Sequence, residues 1–345
     1  MSRIEFKPAM SRDGQDANTM ISRPSEDDLI ARFFAPIAAP QGLGLRDDAA
    51  LLTPPAGADI VLTKDALVAG VHFYADDPPA AIARKALRVN LSDLAAKGAE
   101  PLGFLLALAL PDDWTADWLA AFARGLGEDG AAYSCPLFGG DTVKTPGPLM
   151  VSITALGRVQ SGSMVQRSGV RPGDMLYVSG TIGDSAIGLM LRRGAGPTLD
   201  AAHRDFLLDR YLLPQPRQKL APALTEFASG GMDVSDGFIG DLSKMLRVSG
   251  VSAEVELAKM PLSAAAAAAI ALDPALFEIA VTGGDDYEIL ASVAPQKAAA
   301  FETGAAKAGV AVTRVGRAVA GAAPPLFLGR DGAAVAFERG AFSHF

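Results

Sequence analysis

Aspartate placement constrains this chain more than any other feature. Asp48, Asp65, Asp93, Asp141, Asp233 and Asp236 each follow or interrupt an apolar run, in segments rich in Gly, Ser or Thr: GLRDDAALL, VLTKDALVAGVHF, NLSDLAAKG, LFGGDT and GMDVSDGF. A charged carboxylate beside buried chain is costly unless it is paired, hydrogen-bonded or bound to a metal. One such residue is commonly a cap or a turn former. Six of them, spread over most of the sequence, point to hard divalent cations held by oxygen ligands. The usual work of such ions in a soluble protein is to neutralise phosphate, so the fold must bring distant turns to one cleft.

At 345 residues the chain exceeds one ordinary hydrophobic core, and two domains are expected. A formal charge of −8 speaks against wholesale nucleic-acid binding, which needs a basic footprint, but not against a nucleotide whose metal ions invert the local field. The single cysteine, Cys135, rules out an intrachain disulfide and a multi-cysteine zinc site. Its setting, AAYSCPLFGG, reads as a buried strand thiol. The longest apolar stretch, 102–110, is far shorter than the ~20 residues a membrane helix needs. It reads as a strand buried on both faces. No secretory signal opens the chain. A cytoplasmic protein without membrane or nucleic-acid partners is therefore expected, with residues 1–24 a disordered extension.

Mixed helices and strands in two halves follow from the periodicity. Ser25 and Asp28 fit a capping box, with Leu29, Ile30, Phe33 and Phe34 as the helical apolar face. Short strands are expected at 49–52 and 59–62, and a long helix over 78–97, with Pro near its start and Gly98 past its end. On that helix Leu87, Leu91 and Leu94 mark the buried stripe, while Asn90 and Asp93 share another face. A domain boundary falls within 157–173, where Gly, Ser, Arg and Pro replace apolar runs. The halves are taken as 25–160 and 161–345. In the second, GTIGDS and DVSDG each form a turn before a helix, a shape suited to anions. Asp236 also fits a plain N-cap for the helix that follows.

The common nucleotide loops are missing: no Gly-x-x-x-x-Gly-Lys-Ser/Thr and no Gly-x-Gly-x-x-Gly opening a helix. Yet DDAALL, TKDALVAGVHF, NLSDLAAKGAEP, FGGDT, RSGVRPGD, GTIGDSAIGL, DVSDGFIGDL, TGGDDYEI and the terminal SHF occur in order. This series closely resembles the thiamine-monophosphate kinases, within the superfamily of aminoimidazole ribonucleotide synthetase. The resemblance implies a mixed α/β (α+β) fold of two such domains, with N-terminal domains pairing through a β-barrel in a homodimer. It implies ATP-dependent phosphorylation of thiamine monophosphate to thiamine diphosphate, with several magnesium ions and ATP as co-substrate, and it allows a potassium ion. It also makes 25–160 the ATP- and magnesium-binding half.

Carried over position by position, the resemblance puts Asp48, Thr63, Lys64, Asp65, Asp93, Asp141, Asp233 and Asp236 on metal positions. Lys64 stands where Thr is frequent, so it would ligate through its carbonyl. Gly140, Asp141, Arg167 and Ser235 fall on ATP positions, and His72, Asp285 and Phe342 on substrate positions. Asp285 replaces a more usual Glu, and Arg46 stands beside a metal aspartate for which it could compete. No residue reads as a covalent nucleophile. The readings that compete are a synthetase-like ATP-dependent ligase or cyclase, and a non-catalytic module binding nucleotide or thiamine phosphate.

Overall fold

The computed structural model describes residues 25–337. Residues 1–24 and Phe342 lie outside the described part. At Ser25 the hydroxyl donates to the Asp28 carboxylate (2.7 Å) and accepts from the Asp28 N–H (3.2 Å), capping the short helix α1, Glu26–Leu29. A π-helical turn, Ile30–Phe34, then buries Phe33 and Phe34. The strand expected at 49–52 is absent. The Ala49 N–H turns back onto Asp47 Oδ1 (3.3 Å) and the Leu51 N–H bonds Gln41 O (2.8 Å), so the segment has no ladder partner.

The first half is built on β1 (Ala58–Val68), α2 (Pro79–Ala96), β2 (Glu100–Leu110), α3 (Ala116–Ala132), β3 (Leu137–Lys144) and β4 (Met150–Gln160), with sheet order β1-β4-β2-β3. β4 is antiparallel to both neighbours, and β2 runs parallel to β3. Period-two alternation decides the two faces. Val61, Thr63, Asp65 and Leu67 turn toward α2, where Leu87, Leu91 and Leu94 join Phe104, Leu106 and Ile153 in one core. Leu62, Lys64 and Ala66 turn the other way and are exposed. That second face also carries Leu105 and Val143, which are 40% and 48% exposed. The four strands do not close into a barrel within the chain.

Cys135 sits in the turn between α3 and β3, not in a strand; its N–H bonds Gly130 O at 2.8 Å. Burial pushes its thiol up to about 12. Since the thiolate is the nucleophile, iodoacetamide at pH 8 should label Cys135 only after denaturation. Mass spectrometry with and without urea checks this, and rapid labelling of native protein would contradict it.

The second half comprises β5 (Met175–Ser179), α4 (Asp184–Arg192), α5 (Ala201–Leu212), α6 (Ala221–Phe227), β6 (Ala228–Val234), α7 (Phe238–Ser249), β7 (Ser252–Glu256), α8 (Ala264–Leu272), α9 (Leu276–Thr282), β8 (Glu288–Val293), α10 (Ala298–Lys307), β9 (Val312–Val319), β10 (Leu326–Leu328) and β11 (Ala334–Val335). Its sheet runs β11-β10-β7-β9-β5-β8-β6, antiparallel except between β7 and β10. Leu176, Val178, Phe238, Leu242, Val255 and Val315 fill its core.

A third cluster joins the halves. Ala95 and Ala96, at the end of α2, pack with Tyr177, Leu220, Leu224 and Ile289. Gly98 follows in the left-handed region (φ 70°), where an added Cβ would stand 2.4 Å from the Thr225 hydroxyl. Small residues at this point let α2 meet the second half closely, and that contact fixes what faces the cleft. Among the described residues, no helix is long and apolar enough to cross a membrane.

Candidate functional site

α2 lies between the halves and collects side chains from both. From β1, the Thr63 hydroxyl donates to Asp93, and the Asp65 N–H donates to Asn90 Oδ1 (3.1 Å). From the other side, Ser92 Oγ donates to Asp233 Oδ2 at 2.9 Å, at the end of β6. Asp65, Asp93, Asp233 and Asp236 are close enough to disturb one another's charge. Burial, then Asp93 and Asp236, push the Asp65 carboxyl up to about 6. Burial and then Asp93 push Asp233 well above the usual carboxylate range, against the lowering effect of the Ser92 hydrogen bond. Lys97 sits beside the group and donates to Gly231 O (2.8 Å); burial pulls its own ammonium down.

The turn after β6 is held from within the next helix. Asp241, fully buried in the first turn of α7, accepts from the N–H groups of Ser235 (2.9 Å) and Asp236 (2.8 Å). Lys244 bonds both Asp241 and Asp236. Asp236 is therefore not the N-cap that its sequence position allows. Gly237 takes that place at φ 113°, where a Cβ would stand 2.4 Å from Thr282 O.

Asp48, Gly140 and Asp141 stand apart from this group. They line an open cavity of about 550 Å³ with Ile30, Phe34 and Leu45. Gly140 is obligatory there, since an added Cβ would fall 1.9 Å from Leu106 O. In register Asp141 aligns with Ala107, and through Ser152 with Ala66, which places it on the exposed sheet face, opposite Asp65. The expectation that all six aspartates meet in one cleft thus fails within one chain, because strand alternation separates 65 from 141. Lys64 also points away from Asp65, and Arg46 is exposed and absent from the cavity lining.

The positions expected to meet substrate form a third grouping. His72 Nδ1 accepts from the Val68 N–H (3.0 Å), and its carbonyl accepts from Lys85 Nζ (3.0 Å). Lys85 also pairs with Asp285 at 2.8 Å and lies 4.3 Å from the Tyr211 ring centroid. Asp285 (φ 71°) and Tyr287 (φ 52°) both occupy the left-handed region, and the Tyr287 hydroxyl donates to Asp285 Oδ1 at 3.2 Å. Between them, Asp286 accepts from the N–H groups of Gly183 (2.8 Å) and Ser185 (3.4 Å) at the start of α4. Arg167 is exposed on a 3-10 turn, its charge felt by Lys97. Sequence reasoning missed Lys85, Asp241 and Tyr287. The only signal for Lys85 was its place on α2, seven residues before Ser92 and on the same face.

Oxygen donors from several elements suit magnesium in kind, with Lys244 already paired to Asp236 and Lys97 beside the group. Among the described residues no three carboxylate, imidazole or thiol side chains are arranged to hold one metal ion. The donor set fits ions shared between one or two carboxylates and phosphate oxygens, the usual habit of magnesium, and not an all-protein cage.

Residues 46–159 match the family described as AIR synthase related protein, N-terminal domain, and residues 171–327 its C-terminal domain. The two sheets are thus the two halves of an AIR synthase-related protein. The thiamine-monophosphate kinase of Caulobacter vibrioides is 46% identical over 314 residues, covering 89% of this chain and 88% of its own. The crystal structure of thiamine-monophosphate kinase from Stenotrophomonas maltophilia K279a superposes with a TM-score of 0.76 at 37% identity, covering 84% and 91% of the two chains. A structure described as AaThiL complexed with AMPPCP and TMP gives 0.75 at 30% identity, covering 87% and 91%. The chain belongs to the thiamine-monophosphate kinase family.

Proposed function

We propose that this enzyme transfers the terminal phosphoryl group of ATP to thiamine monophosphate, giving thiamine diphosphate and ADP. The observation that carries the reading is the meeting of Asp65, Asp93, Asp233 and Asp236 across the two halves, where burial and mutual repulsion push the Asp65 and Asp233 carboxyls above the usual carboxylate range. Such a group is unfavourable unless cations complete it. The family and the AMPPCP and TMP complex of a relative supply the nature of the two ligands.

The residues then divide the work. The cavity beside Gly140 is of a size to take a nucleoside. Asp48 and Asp141 at its wall, and Arg167 and Ser235 of the second half, are the residues we assign to the nucleotide. Thr63, the Lys64 carbonyl, Asp65, Asp93, Asp233 and Asp236 would hold the cations that offset the phosphate charge. Magnesium, when bound, neutralises the phosphates and orients the transferred group; a potassium ion is a further proposed cofactor. His72, Asp285 and Phe342 address the acceptor. The attacking oxygen is already anionic, so the residues orient it for direct in-line transfer without a covalent enzyme intermediate. The exposed face with Leu62 and Val143 suits pairing of two N-terminal halves in a homodimer, closing a barrel between chains. The cytoplasm is the proposed compartment.

The test is ADP release in magnesium with and without thiamine monophosphate. Release should depend on both, and free thiamine should turn over at least roughly tenfold more slowly because a site built to hold phosphate is left unpaired without it. Equal turnover of free thiamine would overturn the reading. Release independent of either acceptor would favour a synthetase-like reaction.

A further inference from the structure

We infer that Lys85 is a positioning residue for the acceptor: it holds Asp285 from the second half and the His72 peptide from the first in one fixed relation. The inference rests on the reading above in which Asp285 and His72 address thiamine monophosphate.

Lys85 is 3% exposed, and its ammonium has three named partners: Asp285 Oδ2 at 2.8 Å, His72 O at 3.0 Å and the Tyr211 ring at 4.3 Å. Burying an ion pair is weak evidence for a stabilising role, because desolvation offsets much of the attraction and an apolar side chain of similar size serves stability as well. The backbone on the other side of the pair is also held in a costly state. Two non-glycine residues, Asp285 and Tyr287, occupy left-handed conformations on either side of Asp286. Such strain persists only where the surroundings over-determine it, and it gathers where ligands are held. Here the Asp285 N–H bonds Ser235 O in the turn after β6 and the Tyr287 N–H bonds Val234 O at the end of that strand, both at 2.8 Å, and Asp286 is anchored at the N-cap of α4. Backbone anchors fix where the loop lies, and Lys85 with the Tyr287 hydroxyl fixes where the Asp285 carboxylate points.

Helix geometry gives the contact its meaning. Lys85 and Ser92 are two turns apart on one face of α2, about 10 Å along the axis. Each binds an aspartate of the second half, Asp285 and Asp233 respectively. One rigid helix therefore sets the distance between the carboxylate facing the acceptor and the carboxylate facing the phosphates. That distance is a condition for bringing an acceptor oxygen in line with the transferred group.

The experiment measures kcat and KM for both substrates, with thermal unfolding, in the full chain carrying Lys85→Met, Lys85→Gln, Lys85→Arg, Asp285→Asn and Lys85→Met with Asp285→Asn. Lys85→Met should raise KM for thiamine monophosphate about tenfold, leave KM for ATP within about twofold, and add nothing in the Asp285→Asn background, as for two residues acting through one contact. Lys85→Arg, which keeps the charge, should recover part of the loss. Lys85→Gln serves in the same cycle if the methionine variant does not fold. The inference is overturned if Lys85 substitutions lower only the unfolding temperature, if their effect adds in full to that of Asp285→Asn, or if Asp285→Asn leaves KM for thiamine monophosphate unchanged. In each case turnover by the unaltered enzyme, measured alongside, tells whether the kinase reading survives.

Discussion

Asp93→Asn and Asp233→Asn should each lower turnover by roughly two to three orders of magnitude, the loss typical when one preorganised electrostatic contact is removed from a phosphoryl-transfer or oxyanion site. Folding should survive. Asn keeps the shape and most of the hydrogen bonding: the Thr63 hydroxyl can still donate to residue 93 and Ser92 to residue 233. Asp233 gains further, because burial and the neighbouring Asp93 already disfavour its charge, and the amide removes it. Stability without ligands should therefore stay within about 1 kcal/mol of the parent, or rise. Magnesium and nucleotide should raise the melting temperature of the parent and do so less in either variant. Variants that unfold, yet are fully active in the folded fraction, would show these aspartates to be structural and end the metal assignment.

Arg217→Met should do the reverse and cost roughly 3–5 kcal/mol of stability, the usual result of breaking a buried ion pair from one side. Arg217 grips Glu288 with two nitrogens, Nε at 2.6 Å from Oε2 and a terminal nitrogen on Oε1. Glu288 is 3% exposed, and its other partner is the Ser179 hydroxyl at 2.6 Å. Without the guanidinium a buried carboxylate is left with one neutral donor. Glu288→Gln added to Arg217→Met should recover much of the loss, since no uncompensated charge then remains. Urea unfolding with an unchanged slope reads the effect as stability alone. A loss below about 1 kcal/mol for the single variant would mean that solvent reaches Glu288 when the arginine is gone.

Local spacing made part of the site legible. Alternation along 61–67 places Thr63 and Asp65 together and Lys64 opposite, and helical spacing puts Asn90 and Asp93 on one face. The long helix, the alanine helix with its Ser263 cap and the strand after the GGDD turn also follow from periodicity and caps. What failed depended on partners far along the chain. The apolar segment at 49–52 resembles a strand but has no neighbour to pair with. Asp236 looks like a cap because the local sequence cannot show that Asp241 and Lys244 already hold it. Nothing near position 85 announces a partner 200 residues away, and left-handed Asp285 and Tyr287 lack the glycine that would have marked the bend.

The seam at the end of α2 bears on how such a protein can be rebuilt. Ala95 and Ala96 belong to the packing of the second half, and Gly98 abuts Thr225, although all three lie in the first-half sequence. The helix that carries Asp93 is thus shimmed by residues of the other half. A chimera made from the front of one relative and the back of another would keep two sound cores yet set α2 against a foreign surface. Modules joined in this way are not interchangeable cassettes: a splice preserving chemistry must carry the 95–98 segment together with the helix it rests on, Ala221–Phe227.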